Sequence, residues 1–292
     1  MDILHQPVLL QETLESIPPQ ATYIVDGTLW HGGHSLAILQ HFQEQKHPIT
    51  LIGLDVDEHI LHKAQQRLQP YHNTKLLHAS YADIDKIVQQ ENIPGIDFVL
   101  LDLWVNMEHF KDAKRGFSTH NDAKLDMRFD DKQPLSAYEF INQASPQDIT
   151  KAFINYADFT EAKAEEISKK IFWERKKKPI TTTYDLKNII KSCAVGEKAC
   201  TLLFQAIRIQ INHEMDNLNS FLQKIPTLLR PWGRCAIMSY HSIEDRITKL
   251  AFKELKNHWF KLVNKKTIQA HYTEVQRNRA SRSAKLRIIE KL

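Results

Sequence analysis

The sequence predicts an α/β fold built on a mostly parallel sheet, and three observations favour it. Short apolar runs suited to buried strands alternate with helical patterns over the first hundred residues. A glycine-bearing turn at Gly32-Gly33 joins the first of these runs to a helix. About 20 residues further on, a second apolar run ends in Asp55. A turn and an acid in this arrangement are typical of a Rossmann-like sheet that binds a nucleoside-containing cofactor.

Seven strands are predicted from buried apolar runs bounded by turn residues. They cover residues 23–26, 50–55, 75–78, 98–103, 234–240, 260–263 and 285–289. We expect the last two to form an antiparallel pair. Seven strands with this ending are the usual layout of S-adenosylmethionine-dependent methyltransferases.

The alternation of predicted strands and helices stops in the middle of the chain. Residues 106–201 contain turn signals and charged helical stretches but no convincing buried strand, which predicts a helical insertion. A long helix over residues 202–222 and a turn at residues 230–233 then lead back into the sheet. We therefore predict a discontinuous methyltransferase domain, residues 1–105 and 202–292, and an inserted domain, residues 106–201.

Composition limits the class of protein. The chain has 292 residues, 42% of them hydrophobic, which is enough for a sizeable core, and no run of about 18 apolar residues predicts a membrane span. The N-terminus lacks the pattern of a secretory signal. The three cysteines show no C-x-x-C spacing, and the histidines form no metal-ligand pattern. These features predict a cytoplasmic protein without a metal site.

Charge is concentrated in two segments, although the net charge is only +4. Residues 261–291 hold nine Lys and Arg residues against two Glu, and a second cluster covers residues 169–178. Basic segments of this kind fit contact with a phosphate backbone. A solvated charged face is the alternative for either segment.

Candidate functional residues follow from the strand ends, because ligands of open α/β sheets bind at the carboxyl ends of the strands. Asp26, Asp55 and Asp102 all fall there. Asp55 suits the two hydroxyls of a ribose, Tyr81 suits stacking on adenine, and Asp102 suits a hydrogen bond from a substrate amine or from the cofactor's ammonium group. The alternative for these acids is a helix cap or a structural ion pair, and Asp57 competes with Asp55 as a cap.

The chain resembles the bacterial small-subunit (16S) rRNA cytosine-N4 methyltransferase family, also called MraW, almost from end to end. The motifs that carry the resemblance, in chain order, are HQPVLL at residues 5–10, DGT at 26–28, GGHS at 32–35, Asp55, DAKRGFS at 112–118, LDMR at 125–128, FQAIRI at 204–209, SYHSIEDR at 239–246 and RSAKLR at 282–287.

The resemblance implies a methyltransferase sheet with a helical insertion, S-adenosyl-L-methionine as cofactor, and small-subunit rRNA or the assembling 30S subunit as partner, with no membrane contact. It leaves a homodimer open. The implied cofactor contacts are Gly32, Gly33, His34, Asp55, Tyr81, Asp102 and His109, where the family usually has glutamine at the last position. Other departures are Trp30 and Trp104 in place of glycines, and Asn106-Met107 in place of a serine pair.

The leading hypothesis is therefore N4-methylation of a cytidine in small-subunit rRNA. Asp102 and Asn106 would hold the amine. Five basic residues of the tail would hold the RNA backbone, namely Arg277, Arg279, Arg282, Lys285 and Arg287. The inserted domain would recognise the RNA substrate. Two alternatives stay open: a catalytically weakened or inactive paralogue that acts in RNA binding or ribosome assembly, and a methyltransferase with a different target.

Overall fold

The computed structural model describes residues 7–105 and 114–292. The chain divides into two compact units: unit 1 comprises Met1–Trp104 and Asp216–Leu292, and unit 2 comprises Val105–Met215. The predicted boundary at residues 201/202 falls inside a helix, Glu197–Ile211, that the structure assigns to unit 2. Leu203, Phe204 and Ile207 of this helix belong to the hydrophobic core of unit 2, which explains why the boundary lies further along the chain.

Unit 1 contains a seven-stranded sheet. Its strands are β1 (Tyr23–Asp26), β2 (Thr50–Asp55), β3 (Thr74–His78), β4 (Ile96–Asp102), β5 (Leu229–Ser239), β6 (Phe260–Leu262) and β7 (Lys285–Lys291). They lie in the order β3-β2-β1-β4-β5-β7-β6. The first five pair in parallel, and β7 is antiparallel to both of its neighbours. This arrangement confirms the predicted class I methyltransferase sheet with its antiparallel ending.

Twelve helices have defined bounds in the described part of the chain. They are α1 (Leu10–Ser16), α2 (Gly33–Glu44), α3 (Glu58–Leu68), α4 (Ile84–Gln90), α5 (Ala137–Gln143), α6 (Pro146–Ala157), α7 (Glu161–Lys177), α8 (Thr183–Ser192), α9 (Glu197–Ile211), α10 (Glu214–Leu228), α11 (Ser242–Leu255) and α12 (Tyr272–Arg277). Short 3₁₀ turns cover Tyr81–Asp83 and Arg279–Ser283. Within residues 7–105 and 114–292, none of these helices combines the length and apolar character that crossing a bilayer requires.

The central strands of unit 1 are buried on both faces. Ile24 and Leu51 contribute to the hydrophobic cluster on one side of the sheet, whereas their neighbours Val25 and Ile52 contribute to the cluster on the other side. Parallel strands covered on both faces have nearly continuous apolar sequences, because each side chain is buried whichever face of the sheet it lies on. This pattern made the central strands predictable.

The predicted helix over residues 202–222 is wrong as a single element. The structure has α9 and α10, separated at Asn212 and His213, where His213 has a left-handed backbone (φ 52°). The Asn212 side chain donates to the carbonyls of Met127 (2.8 Å) and Arg208 (2.9 Å), and its oxygen accepts from the Phe129 amide (2.8 Å). The contact with Arg208 satisfies a backbone carbonyl of the last turn of α9, and the other two contacts tie the end of the helix to residues 127–129 of unit 2.

The predicted turn at residues 230–233 is part of β5 in the structure, which begins at Leu229. The register against β4 shifts between Ile96 and Phe98, and Trp232 has a positive φ of 67°. The strand therefore starts with an irregular segment and becomes regular at Arg234, where the predicted strand begins. Pro231 and Gly233 are typical of turns, and the sequence pattern did not reveal that the sheet tolerates them beside a bulge.

Candidate functional site

Three acids lie at the carboxyl ends of three adjacent strands of unit 1. Asp26 ends β1, Asp55 ends β2 and Asp102 ends β4, and β1 lies between the other two. Asp26 pairs with Gly53 and Leu100, so Asp55 and Asp102 each extend two residues past it. With strands about 4.8 Å apart, the backbones at Asp55 and Asp102 are about 10 Å apart. The two acids therefore flank the turn that follows β1.

Backbone contacts hold this turn between β2 and β4. The Gly27 amide donates to the Leu100 carbonyl (2.9 Å), and the Leu29 amide donates to the Leu54 carbonyl (2.8 Å). The Thr28 hydroxyl oxygen accepts from the Asp102 amide at 2.7 Å. A Cβ at Gly27 would lie 2.4 Å from Leu101 Cδ2, so any other residue there would force the Leu101 side chain to shift. The turn is thus fixed relative to both strands.

Asp55 is oriented by two backbone donors. Its Oδ2 accepts from the Trp30 amide (2.8 Å) and its Oδ1 from the Asp57 amide (2.9 Å). Burial raises the pKa of Asp55 to about 6 despite these hydrogen bonds. Asp57 provides the cap of α3, because its side chain accepts from the His59 and Ile60 amides. Each carboxylate oxygen of Asp55 has a second lone pair, so the group can accept two further hydroxyl donors.

The turn before α2 contains two residues with a left-handed backbone. Trp30 has a φ of 53°, and Gly32, the residue that caps α2, has a φ of 70°. Glycine adopts this conformation readily, whereas another residue pays about 1–2 kcal/mol. This cost gives a physical reason for the glycine that the resemblance implies at position 30. Trp30 nevertheless places its amide on the Asp55 carboxylate.

His34 is buried, and both of its ring nitrogens face the protein. Nε2 lies 2.9 Å from the Val8 carbonyl oxygen, and Nδ1 lies 3.8 Å from Asp102 Oδ2. A carbonyl only accepts, so Nε2 carries the proton in this contact. Burial lowers the pKa of His34, which keeps the ring neutral near pH 7 and leaves Nδ1 as an acceptor. His34 thus presents an acceptor nitrogen beside the Asp102 carboxylate.

Asp102 is bordered by an aromatic pair. Its Oδ1 accepts from the Trp104 amide at 3.3 Å, and the Trp104 ring lies 4.6 Å from the Tyr240 ring at an interplanar angle of 59°. Burial and the negative charge of Asp102 raise the pKa of Tyr240 well above its ordinary value, so the phenol stays protonated. The indole Nε1 of Trp104 is buried and has no hydrogen-bond partner among the residues that the structure describes.

Tyr81 opens the 3₁₀ turn after β3, where Ser80 caps it by accepting from the Ala82 amide. A Cβ on Gly27 would lie 3.2 Å from Tyr81 Cβ, which places Tyr81 beside the turn after β1. Its ring packs edge to face on Phe221, with the centroids 5.9 Å apart. This contact holds the ring at the same end of the sheet as Asp55.

Asp26 is committed to a structural role. Its Oδ2 accepts from the Ser35 hydroxyl at 2.6 Å, its Oδ1 accepts from the Thr28 amide at 3.4 Å, and the residue is 1% exposed. Burial raises its pKa. This carboxyl ties the turn to the first residues of α2, so Asp26 is less suited than Asp55 or Asp102 to bind a ligand.

The basic tail divides into two sets. Arg277, Arg279 and Arg282 are exposed. Lys285 and Arg287 instead pair with Asp245, at 3.3 Å and 2.8 Å, and these partners lower the pKa of Asp245. Two of the five predicted RNA contacts therefore already have an acidic partner within unit 1. Asn106 and His109 lie outside the described residues.

The sequence reasoning did not assign Thr28 or Tyr240 to the site. Tyr240 follows the carboxyl end of β5, next to β4 in the sheet, so the strand-end rule that selected the three acids would have selected it as well. Thr28 acts through its hydroxyl on a backbone amide, a contact that no sequence pattern reveals.

Comparison with known proteins identifies the family of the chain. The model of the MraW methylase family matches residues 2–292. Curated relatives named ribosomal RNA small subunit methyltransferase H are 34% identical in Pseudothermotoga lettingae and 37% identical in Brachyspira hyodysenteriae. Both alignments cover 100% of this chain, with 100% and 98% of the respective relatives. A relative of the same name from Lactobacillus delbrueckii subsp. bulgaricus is 34% identical over 100% of both chains. The chain therefore belongs to the MraW methylase family.

Proposed function

We propose that the protein transfers a methyl group from S-adenosyl-L-methionine to the exocyclic N4 of a cytidine in small-subunit rRNA. The observation that carries this proposal is a pair of acceptor atoms, Asp102 Oδ2 at the end of β4 and His34 Nδ1 at the start of α2, which lie 3.8 Å apart. An exocyclic amine has two N–H groups to donate to such a pair. The choice of RNA as substrate rests on the names of the three relatives, each of which is called a ribosomal RNA small subunit methyltransferase.

The residues at the end of β2 fit the cofactor. Asp55 is fixed by two amides and can accept both hydroxyls of a ribose. The Tyr81 ring lies at the same end of the sheet and suits contact with adenine. The Gly32-Gly33 turn allows close approach to the start of α2. When bound, the cofactor supplies a methyl group on a positively charged sulfur.

Asp102 and His34 would prepare the nucleophile. The N4 lone pair of cytosine is delocalised into the ring, so the amine is a poor nucleophile. Hydrogen bonds from its two N–H groups to Asp102 Oδ2 and His34 Nδ1 favour a pyramidal nitrogen whose lone pair is free to attack. The carboxylate also stabilises the positive charge that develops on nitrogen as the new N–C bond forms and the methyl group leaves the sulfur. Asp102 would then accept the extra N4 proton, which leaves neutral N4-methylcytidine. Holding the two reactants in line provides much of the remaining rate.

The aromatic pair would contact the target base. A cytosine inside paired or stacked RNA is out of reach, so it must be unstacked to enter the site. The ring of Trp104 lies against Tyr240, immediately after Asp102, and provides an apolar wall for a flat base presented to that carboxylate. The exposed Arg277, Arg279 and Arg282 suit contact with the RNA backbone.

We predict that Trp104→Ala raises KM for small-subunit rRNA about tenfold, because a stacked base loses contact with the indole. Trp104→Phe keeps an aromatic face and should change KM less than about threefold. Calorimetry should show the same cofactor affinity in both variants and in the wild type. If Trp104→Ala instead tightens cofactor binding, the indole obstructs the cofactor and the assignment to the base is wrong.

The proposed function is tested by incubating the protein with small-subunit rRNA from cells that lack the modification, using cofactor labelled on its methyl group. We expect label in small-subunit rRNA and background label in large-subunit rRNA, which serves as the control. Background label in both, with RNA binding intact, would contradict catalysis and favour the non-catalytic alternative.

A further inference from the structure

We infer that the outer face of α7 in unit 2 is a binding surface for single-stranded RNA, with Trp173 as the residue on which a base stacks. The surface, called here the α7 stripe, consists of Lys169, Lys170, Trp173, Lys176 and Lys177. This inference rests on the proposed RNA substrate, and it adds the place on unit 2 where the strand is held.

The helix geometry separates the stripe from the core. Ala164, Ile167, Ser168 and Ile171 form the buried face of α7. Trp173 lies two residues after Ile171, which is about 200° around the helix axis. The four lysines fall at positions −4, −3, +3 and +4 from Trp173, so they flank it on one face. The stripe therefore runs along the side of α7 opposite the core, over about 12 Å.

Packing in the hydrophobic core does not explain the tryptophan at position 173. Its side chain is 59% exposed, and its ring touches Phe172 at 5.5 Å between centroids. Lys176 Nζ lies 4.9 Å from the Trp173 ring centroid and 4.3 Å from that of Phe172. An exposed aromatic face next to cationic groups is how proteins hold unpaired bases without reading their sequence.

The charges of the stripe are available to phosphates. Lys169 pairs with Glu165 (2.7 Å), and Lys170 and Lys177 both pair with Glu174 (3.0 Å each). These are surface ion pairs, which contribute little and exchange readily for another anion. Residues 169–178 hold six basic residues and one acidic residue, so the segment has a strong positive excess. A polyanion with exposed bases satisfies both features, whereas an acidic protein surface would use only the charge.

The test measures binding of a fluorescent single-stranded oligocytidylate of about 12 nucleotides to the full-length protein by anisotropy. We expect Trp173→Ala to weaken binding about tenfold and Trp173→Phe to weaken it less than about threefold. The double variant Lys176→Ala, Lys177→Ala should weaken binding and reduce the slope of log affinity against log salt by about 1.4, because two phosphate contacts with a single strand are lost.

Trp232→Ala is the matched control. Trp232 is 56% exposed and has Lys261 Nζ 5.4 Å from its ring centroid, so it resembles Trp173 in exposure and charge but lies in unit 1. We expect it to leave oligocytidylate affinity unchanged, and all variants to bind the cofactor like the wild type. Equal affinity of Trp173→Ala and wild type, an equal loss in Trp232→Ala, or no binding by the wild type would overturn the inference.

An assay of methyl transfer distinguishes a failure of this inference from a failure of the proposed function. If the wild type labels small-subunit rRNA and Trp173→Ala does so with the same KM, the α7 stripe is not the binding surface although the function stands. If Trp173→Ala weakens RNA binding while the wild type transfers no methyl group, the surface stands and the proposed function fails.

Discussion

Asp102→Asn is expected to lower the rate of methyl transfer at saturating cofactor and RNA by about 10²- to 10³-fold. The asparagine keeps the volume of the side chain, and its oxygen can still accept from the Trp104 amide. Its NH₂ group would replace Oδ2 and donate to His34 Nδ1, so the site would lose both acceptors for the substrate amine. Single-turnover kinetics with labelled cofactor measure this step directly.

Asp97→Asn is the control for this prediction. Asp97 lies on the same strand, β4, at the end away from Asp102, and its carboxylate accepts from the Thr22 and Tyr23 amides, each at 2.8 Å. We expect this variant to lose some stability and to keep the rate constant of transfer. If Asp102→Asn weakens cofactor affinity but transfers methyl groups at the wild-type rate when saturated, Asp102 holds the cofactor's ammonium group and does not act on the substrate.

Cofactor affinity is expected to fall as the pH is lowered through about 6, by about tenfold for each pH unit below the pKa of Asp55. The ribose hydroxyls donate to the ionised carboxylate, whereas the neutral acid carries an O–H donor in place of one acceptor site and accepts more weakly. Calorimetric titrations with S-adenosyl-L-methionine between pH 5 and 8 measure the effect. Asp55→Asn should bind weakly throughout and lose this pH dependence. An unchanged slope in the variant would mean that another group, such as His34, titrates.

The raised pKa of Asp55 has the opposite effect on the stability of the protein without cofactor, which increases as the pH is lowered. The pKa of Asp55 is raised in the folded state from 3.8 to about 6, so the folded state binds the proton more tightly than the unfolded chain. The contribution of Asp55 to stability is therefore complete below pH 4 and is lost as the pH rises to about 6, a change of about 2–3 kcal/mol. We therefore expect the cofactor to stabilise the protein most above pH 6, where the half-buried carboxylate of Asp55 is charged.

The sequence predicted the sheet better than the ligand-facing contacts, for a physical reason. Strands β1 and β2 have the predicted bounds because strands buried on both faces are continuously apolar and end at an acid. The break between α9 and α10 depends on Asn212, which reaches backbone groups about 85 residues away in the chain. Such a tertiary contact leaves no periodic signal in the sequence.

In the candidate site, too, local features were predictable from the sequence and tertiary contacts were not. Asp55 was recognised because its position after β2 is a local feature of the chain, and the structure adds the two amides that orient it. The roles of Asp55 and Asp102 stay predictions until the variants above are measured. The pairing of Trp104 with Tyr240 joins residues from the ends of two strands far apart in sequence, so it required the fold. Trp173 stands within a basic cluster visible in the sequence, but its exposure depends on which face of α7 is buried.

The most direct measurement identifies the atom that receives the methyl group. Small-subunit rRNA is treated with the protein and methyl-labelled cofactor, digested to nucleosides, and separated by liquid chromatography coupled to mass spectrometry. We predict that the label co-elutes with N4-methylcytidine and that Asp102→Asn reduces this peak by about 10²- to 10³-fold at early times. Label on another nucleoside, or at carbon 5 of cytidine, would contradict the proposal that Asp102 and His34 hold an exocyclic amine.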